Sequence, residues 1–329
     1  MSEIRKSMDP LYSWNVPRLY PDTPTFLGVP PARDKKDLQE ADIAIVGAPY
    51  EGAAGVARSY SNNLLTPVNL RKDAIKYGGY LPEFDIDVFD HLKVVDYGDA
   101  RIPVRGKAEE AVTATGKKIA DVLEAGAIPI VIGGVEVGSS LPLIQEMSRN
   151  SDKGVGCITL DAHGDNMDSH GGERYCGATW LARMSELPAV NMKNHVHIGM
   201  RGPRNYRQQV EWFREKGTTL ITAREFKRTG VEKIFAKIYP VLTADTDSMF
   251  MSIDFDVLDI GCAPGLDEPL GLSMDQLLYL VRRLGEKGLN GLSLGWLPTS
   301  EKPLHWLAVW TIIYYLAGLV IGRESIDIK

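Results

Sequence analysis

Two short acidic segments carry the side chains of this sequence that could do chemistry. Residues 161–165 read DAHGD and residues 254–256 read DFD. In an extended chain, residues two apart point to the same side, so the charged side chains and the imidazole of these segments would converge. Burying so many carboxylates together is costly unless cations neutralise them. Two divalent metal ions would do so, and they would lower the pKa of a bridging water to make a nucleophile for hydrolysis.

The ligand set of this predicted metal site is rich in oxygen and has one imidazole, which suits Mn(II) and, less exclusively, Ni(II) or Fe(II). The simpler alternative is that the aspartates cap helices at strand–helix turns. One such segment would leave both interpretations open, whereas two segments at strand ends favour metal binding. The candidate ligands are Asp161, His163, Asp165, Asp254 and Asp256.

The elements that must position these residues are short apolar runs that alternate with helical segments. Strands are predicted over residues 43–46, 92–95, 128–132, 156–160, 196–200, 220–222, 249–253 and 292–294. Helices are predicted over residues 107–124, 141–149, 206–216, 231–238 and 274–287. Near-continuous apolar strands are typical of parallel sheets covered on both faces. The alternation predicts an α/β fold, in which ligands bind beyond the carboxyl ends of the strands.

Length and composition favour a single domain, residues 42–329, behind an N-terminal arm, residues 1–41. The chain has 329 residues and no long polar linker between its strands. The arm is rich in Pro, Tyr and Trp between residues 10 and 31, which suggests contact with a neighbouring subunit. Residues 306–321 are almost wholly apolar but are shorter than the roughly 20 residues that span a bilayer, so a buried core or interface helix is expected.

The net charge and the number of cysteines limit the kinds of partner and the cellular compartment that we expect for this protein. A net charge of -6 argues against nucleic acid, and no basic run indicates a membrane surface. The three cysteines are too widely separated for a disulfide framework or a cysteine-rich zinc site, and the N-terminus has no apolar core of a secretory signal. We therefore expect a cytoplasmic protein with a small-molecule substrate.

The acidic segments resemble signature motifs of the ureohydrolases, the arginase and agmatinase family. The match includes DAHGD and the residues SIDFDVLD at 252–259, which are followed by APG at 263–265. Residues 46–49 (VGAP), 94–99 (VVDYGD) and 198–203 (IGMRGP) resemble further family segments, so the resemblance runs from about residue 42 to residue 318. It implies a three-layer α/β/α fold around an eight-stranded parallel sheet and two metal ions, usually manganese and in some members nickel. It also implies hydrolysis of guanidino C–N bonds and assembly as trimers or hexamers.

Five of the family's six metal ligands have counterparts in this sequence, but three other functional positions of the family differ. The family's sixth ligand is a histidine, but residues 133–137 read GGVEV and put Glu136 there, so this residue is a doubtful sixth ligand. An active-site histidine is replaced by Gly177, within YCGAT. The family's glutamate late in the last strand, which holds the guanidinium, has no counterpart in residues 294–298 (LGWLP). The resemblance therefore leaves the catalytic and substrate-binding residues unassigned.

Several smaller signals have a plain structural interpretation. His170 could replace the missing proton shuttle, but a solvated loop histidine is the simpler interpretation. Cys176 has no histidine base beside it in sequence and is expected to be a packed thiol. His195 and His197 alternate along a strand and are expected to pack. In the shortened loop after APG, the acidic residues 267 and 268 could bind a cation, but exposed loop charges are expected.

Three hypotheses follow. In the first, this chain is the degenerate, supporting subunit of a hetero-oligomeric C–N hydrolase that acts on a guanidine or biguanide compound beside a catalytic paralogue. This arrangement resembles the metformin hydrolases, which pair an active ureohydrolase-type subunit with a divergent one. In the second, the chain is an active homo-oligomeric, agmatinase-like amidinohydrolase with an atypical site. In the third, it is a non-enzymatic guanidine-binding or regulatory protein. The substrate itself is left open, because loops such as residues 52–67 diverge from the family.

Overall fold

The computed structural model describes residues 24–52, 63–103, 106–297 and 302–324. Eight parallel strands form one sheet, and two short antiparallel strands form a separate hairpin. In chain order the strands are β1 (Ile43–Ala48), β2 (Tyr80–Leu81), β3 (Ile86–Asp87), β4 (Val94–Asp99), β5 (Ile128–Gly133), β6 (Val155–Leu160), β7 (His195–Ile198), β8 (Thr219–Ile221), β9 (Ser248–Asp254) and β10 (Gly291–Gly295). The large sheet has the order β4-β1-β5-β10-β9-β6-β7-β8, so the predicted eight-stranded parallel sheet is confirmed.

Helices cover both faces of this sheet. They are α1 (Thr66–Ala74), α2 (Val88–His91), α3 (Ala108–Glu124), α4 (Glu136–Arg149), α5 (Trp180–Met184), α6 (Arg207–Lys216), α7 (Ala223–Thr229), α8 (Val231–Leu242), α9 (Met274–Glu286) and α10 (Lys302–Glu324). Ile130 and Ile132 of β5 join a core with α1, α8, α9 and α10, whereas Val131 between them joins a core with α3, α4, α5 and α6. Because successive side chains point to opposite faces, both faces need apolar residues, and inner strands such as β1 and β6 are buried throughout.

Helix α4 differs from its sequence prediction in a way that matters for the site. It begins at Glu136, five residues before the predicted start, and it includes Pro142 and a run of small residues. Those residues have weak helix propensity, but nearly all of this helix is buried, and tertiary packing outweighs propensity. The prediction also missed α1, α2, α5, α7 and the β2–β3 hairpin, which are too short to show a clear hydrophobic period.

The apolar segment near the C-terminus is a core helix. Among the described residues, α10 is the one helix long and apolar enough to cross a membrane, and 78% of its most apolar window is buried within the fold. It packs closely on α9, because a Cβ at Gly318 would lie 2.2 Å from the backbone oxygen of Arg282. Glycine at this position lets the two helix backbones approach.

The described part of the N-terminal arm packs on this chain itself. Phe26 is fully buried, and its N–H donates to Asp96 Oδ2 at 2.8 Å. Ala32 N–H donates to Asp96 O, and Asp96 N–H donates to Pro30 O, which ties the arm to β4. The suggested contact with a neighbouring subunit falls mainly on residues 10–23, outside the described residues.

Candidate metal centre

The central strands β5, β10, β9 and β6 end at one edge of the sheet, and the acidic residues follow these ends. Asp161 follows the last residue of β6, Asp254 is the last residue of β9, and Glu136 opens α4 just after β5. This is the edge at which ligands bind in open parallel sheets.

The six predicted ligand positions converge here. Five of them line a cavity of about 280 Å³, and candidate ligand atoms of Asp161, His163 and Asp256 lie within 4.8 Å of one another. The cavity is lined by Val135, Glu136, His163, Asp165, Met167, His170, Gly177, Ala178, Arg204, Tyr206, Gln209, Asp254, Asp256 and Trp296. The convergence is observed, and the role of these residues as ligands stays a prediction.

The turns that follow β6 and β9 are stabilised by the aspartates themselves. Asp161 Oδ1 accepts the N–H of His163 at 2.6 Å, and Asp254 Oδ1 accepts the N–H of Asp256 at 2.7 Å. The capping role weighed against metal binding therefore exists, but each of these bonds occupies one carboxylate oxygen. Asp161 Oδ2 is buried with no hydrogen-bond partner. Capping and cation binding are thus compatible at this residue.

His163 and Asp256 form an ion pair within the cluster. Nδ1 of His163 lies 2.8 Å from Asp256 Oδ2 and 3.5 Å from Asp161 Oδ1. Burial by itself lowers the pKa of His163, but the charge of Asp256 and hydrogen bonds to both carboxylates outweigh burial and raise this pKa to about 12. Burial by itself raises the pKa of Asp256, yet the charge and hydrogen bond of His163 lower it to about 2.

The environment of the other carboxylates in the cluster disfavours their charged form. Burial raises the pKa of Glu136 to about 8, with repulsion from Asp161 and Asp256 adding to it. Burial also raises the pKa of Asp165 to about 8 and the pKa of Asp254 well above its ordinary value. Such shifts show that one imidazolium does not neutralise the cluster.

The residues present fit a pair of hard divalent cations. Glu136 Oε1 and Asp161 Oδ2 are buried oxygens without a donor, and buried carboxylate oxygens without partners are costly. Oxygen donors with one imidazole are the chemistry that manganese accepts. The cluster therefore has both the vacant ligand atoms and the negative charge that such ions require.

Glu136 enters the cavity because β10 has a glycine beside it. An added Cβ at Gly295 would lie 2.0 Å from Glu136 Oε1 and 2.9 Å from its Cδ. Gly295 pairs with Asp254 in the sheet, so the Glu136 carboxylate is held next to the end of β9. This glycine lets the doubtful sixth ligand lie among the others.

Gly177 and the stretch after β10, two further places at which the chain departs from the family, also lie at the cavity. A Cβ at Gly177 would lie 3.2 Å from Val135 Cγ1, so a side chain there requires Val135 to move. Trp296 follows β10 with a left-handed backbone (φ 48°), which a bulky residue rarely adopts. Through Leu297, where the description of this stretch ends, the last strand brings no carboxylate to the cavity.

The histidines and the cysteine for which the sequence favours a plain structural role lie either at the cavity or in the core. His170 is half-buried and lines the cavity. Cys176 is buried, and burial raises its pKa, in keeping with a packed thiol. His195 and His197 are buried on either side of Thr159, whose hydroxyl lies 2.9 Å from His195 Nε2 and 2.8 Å from His197 Nδ1. Both histidines therefore pack in the core, as expected.

The sequence leaves Glu268 as a possible cation ligand but favours an exposed loop charge, and its contact with the cluster is seen only in the structure. Asp267 is exposed as expected, but the expectation is wrong for Glu268, which is only 5% exposed and places Oε1 3.2 Å from His163 Nε2. The loop turns Glu268 inward because Arg201 donates hydrogen bonds to two of its carbonyl oxygens, those of Glu268 and Pro269. Nothing in the local spacing of this loop shows that contact.

Fold and site together define a class: an α/β/α protein with a carboxylate cluster suited to two divalent metal ions at the carboxyl edge of its sheet. The chain belongs to the arginase family, which it matches over residues 41–294. Its relatives include proteins named for guanidino compounds.

The similar proteins cover most of this chain. It is 26% identical to the guanidinobutyrase of Pseudomonas aeruginosa over 272 residues (82% of this chain, 81% of the relative). It is 29% identical to the guanidinopropionase of the same organism (87% and 85%). Among solved structures, Trypanosoma cruzi formiminoglutamase, solved with two Mn²⁺ ions, has a TM-score of 0.78 at 25% identity (91% of this chain, 99% of that chain). Proclavaminate amidinohydrolase from Streptomyces clavuligerus has a TM-score of 0.80 at 22% identity (92% and 99%) and shows the shared fold.

Proposed function

We propose that this chain is a supporting subunit of a hetero-oligomeric C–N hydrolase that acts on a guanidine or biguanide compound, beside a catalytic paralogue. One observation carries the proposal. Five of the six candidate cation ligands line the cavity, but Gly177 stands where the family's proton shuttle is expected, and residues 294–297 bring no carboxylate where its guanidinium anchor is expected. A cytoplasmic location and assembly as a trimer or hexamer belong to the same proposal.

The chemistry of guanidine hydrolysis explains why these two positions matter. The metal ions, manganese or nickel, would be held by six residues: Glu136, Asp161, His163, Asp165, Asp254 and Asp256. Bound metal would supply an activated water. Hydrolysis further needs a group that protonates the leaving amine and a group that orients the substrate. Gly177 has no side chain for proton transfer, and residues 294–297 offer no carboxylate to accept guanidinium hydrogens.

Reconstitution tests this proposal. The chain is purified alone and together with an arginase-family paralogue encoded beside it, and bound metal and the release of urea or amine from guanidino and biguanide compounds are measured. We expect turnover only in the mixture, and we expect it to survive Asp161→Ala in this chain. Turnover by the lone chain, lost with the same substitution, would contradict the proposal.

A second candidate, an active homo-oligomeric amidinohydrolase, has one observation in its favour. Of the described histidines, His163 and His170 line the cavity, so His170 could act as the missing shuttle. This candidate requires turnover by the lone chain that falls on His170→Ala and on Glu136→Ala alike. Tight binding of a guanidine compound without turnover in either preparation would instead favour a regulatory binding protein.

A further inference from the structure

A chain of charged groups connects the acidic cluster to the protein surface. His163 lies between Asp256 on its Nδ1 side (2.8 Å) and Glu268 on its Nε2 side (3.2 Å). Glu268 Oε1 also accepts a hydrogen bond from Arg204 Nη1 at 3.0 Å, and the same guanidinium nitrogen donates to Asp267 Oδ2 at 2.8 Å. The Glu268 side chain is 6% exposed, whereas those of Arg204 and Asp267 are about half exposed.

The backbone of Glu268 is fixed independently of its side chain. Arg201 Nη2 donates to Glu268 O at 2.8 Å and to Asp256 O at 2.8 Å, so one guanidinium joins this loop to the turn after β9. Arg201 Nε donates to Pro269 O at 2.7 Å. These bonds hold the loop against the acidic cluster and direct the carboxylate of Glu268 toward His163.

The geometry determines which nitrogen of His163 carries a hydrogen toward Glu268. The contacts to Arg204 and to His163 fall on the same atom, Glu268 Oε1. Because a guanidinium only donates, this oxygen must accept, and His163 Nε2 must therefore be its donor. A histidine that donates one ring nitrogen to a carboxylate presents the other nitrogen to a metal ion. For His163 that other nitrogen is Nδ1, which faces Asp256 and Asp161.

We propose that Glu268 is a positioning residue of the metal centre: it fixes His163 with Nε2 as the donor and Nδ1 toward the cation, and Arg204 holds its carboxylate in place. This inference rests on the metal binding in the proposed function, but it does not depend on which subunit performs catalysis. A purely structural loop salt bridge is the competing explanation. Asp267 offers the matched control, since its exposed carboxylate shares Arg204 with Glu268, whereas the described ion pairs of His163 are with Asp161, Asp256 and Glu268.

Manganese titration tests the proposal on the full chain, without substrate or turnover. Calorimetry with Mn²⁺ compares the unchanged protein with Glu268→Leu, Glu268→Gln and Asp267→Asn. Loss of such an outer partner typically costs 10–100-fold in metal affinity, and we expect a loss of about that size for Glu268→Leu. Glu268→Gln should stay within about 3-fold, because its amide oxygen faces Arg204 and still accepts from Nε2. Asp267→Asn should leave the affinity unchanged, and thermal unfolding checks that each variant folds.

Imidazole NMR of the ¹⁵N-histidine-labelled protein loaded with Cd²⁺ provides a second readout, which a purely structural salt bridge would not move. We expect a single histidine ligated through Nδ1 with a protonated Nε2, and loss of that single form in Glu268→Leu. A protein that binds no Mn²⁺ would overturn the metal centre itself. Mn²⁺ binding of unchanged affinity in Glu268→Leu, or equal losses in Glu268→Leu and Asp267→Asn, would overturn the role of Glu268 alone.

Discussion

Substituting Gly295 by alanine probes how the sixth ligand position is held. The new methyl carbon would lie 2.0 Å from Glu136 Oε1, far inside van der Waals contact, so the Glu136 carboxylate must leave its place beside β9. The backbone conformation at this position is compatible with alanine, because Gly295 is an ordinary strand residue without positive φ. The cost therefore comes from one contact between two side chains.

The expected magnitude follows from overpacking of a buried site. Forcing additional atoms into a packed core typically costs about 1–3 kcal/mol in free energy of unfolding. Truncating Glu136 to alanine removes the atoms that clash, so Gly295→Ala should cost little in that background. The two substitutions should thus show a coupling energy of about 1–3 kcal/mol, as expected of residues in contact. Glu136→Gln keeps the shape and removes the ionisable group, so the cost of Gly295→Ala should persist there.

Urea unfolding of the metal-free protein measures these free energies. Gly116→Ala serves as a control, because its Cβ would lie 3.0 Å from Glu146 Oε1, a contact that a small shift relieves, and alanine is the better helix former. We expect that control to be neutral or stabilising. Additive effects of Gly295→Ala and Glu136→Ala would refute the contact, and loss of the coupling in Glu136→Gln would show that charge rather than size is responsible.

Three further predictions concern pH, metal and helix packing. Glu136 has a pKa of about 8 in the folded protein, above its unfolded value, so its contribution to stability is complete below the unfolded pKa and is lost as pH rises toward 8. Between about pH 5 and pH 8 this group should lower the free energy of unfolding by about 1.4 kcal/mol per pH unit, and Glu136→Gln should reduce that slope in urea unfolding of the metal-free protein. Added Mn²⁺ should stabilise the unchanged protein by about 2.7 kcal/mol at 100 times its Kd and should have little effect on Asp161→Ala; equal shifts in thermal unfolding would contradict the metal centre. Gly318→Ala should destabilise the α9–α10 pair by about 1–3 kcal/mol, since its Cβ meets the backbone of Arg282 rather than a movable side chain, and an unchanged unfolding midpoint would refute this packing.

The position of the candidate site could be predicted because the burial of a strand requires apolar residues in the local sequence. Strands covered on both faces must be apolar at nearly every residue, so the sequence predicts β1, β5, β6 and β9 to within a residue or two of their ends. The acidic segments stand directly after two of these strands, and parallel strands end at one edge of the sheet. That both segments lie at the carboxyl edge of the sheet therefore follows from the sequence pattern, whereas the pairing of β6 with β9 brings Asp161 and Asp254 together.

The sequence by itself determined the sheet, the acidic segments and the departures at Gly177 and Glu136. Only the tertiary structure decided how those residues are used. That β10 lies between β5 and β9, so that Gly295 makes room for Glu136, depends on strand order. That Glu268 contacts a histidine 105 residues away depends on a loop held by Arg201. Hydrophobic periodicity predicts which residues are buried. It does not predict which distant side chains come into contact, because those contacts form only when the strands assemble.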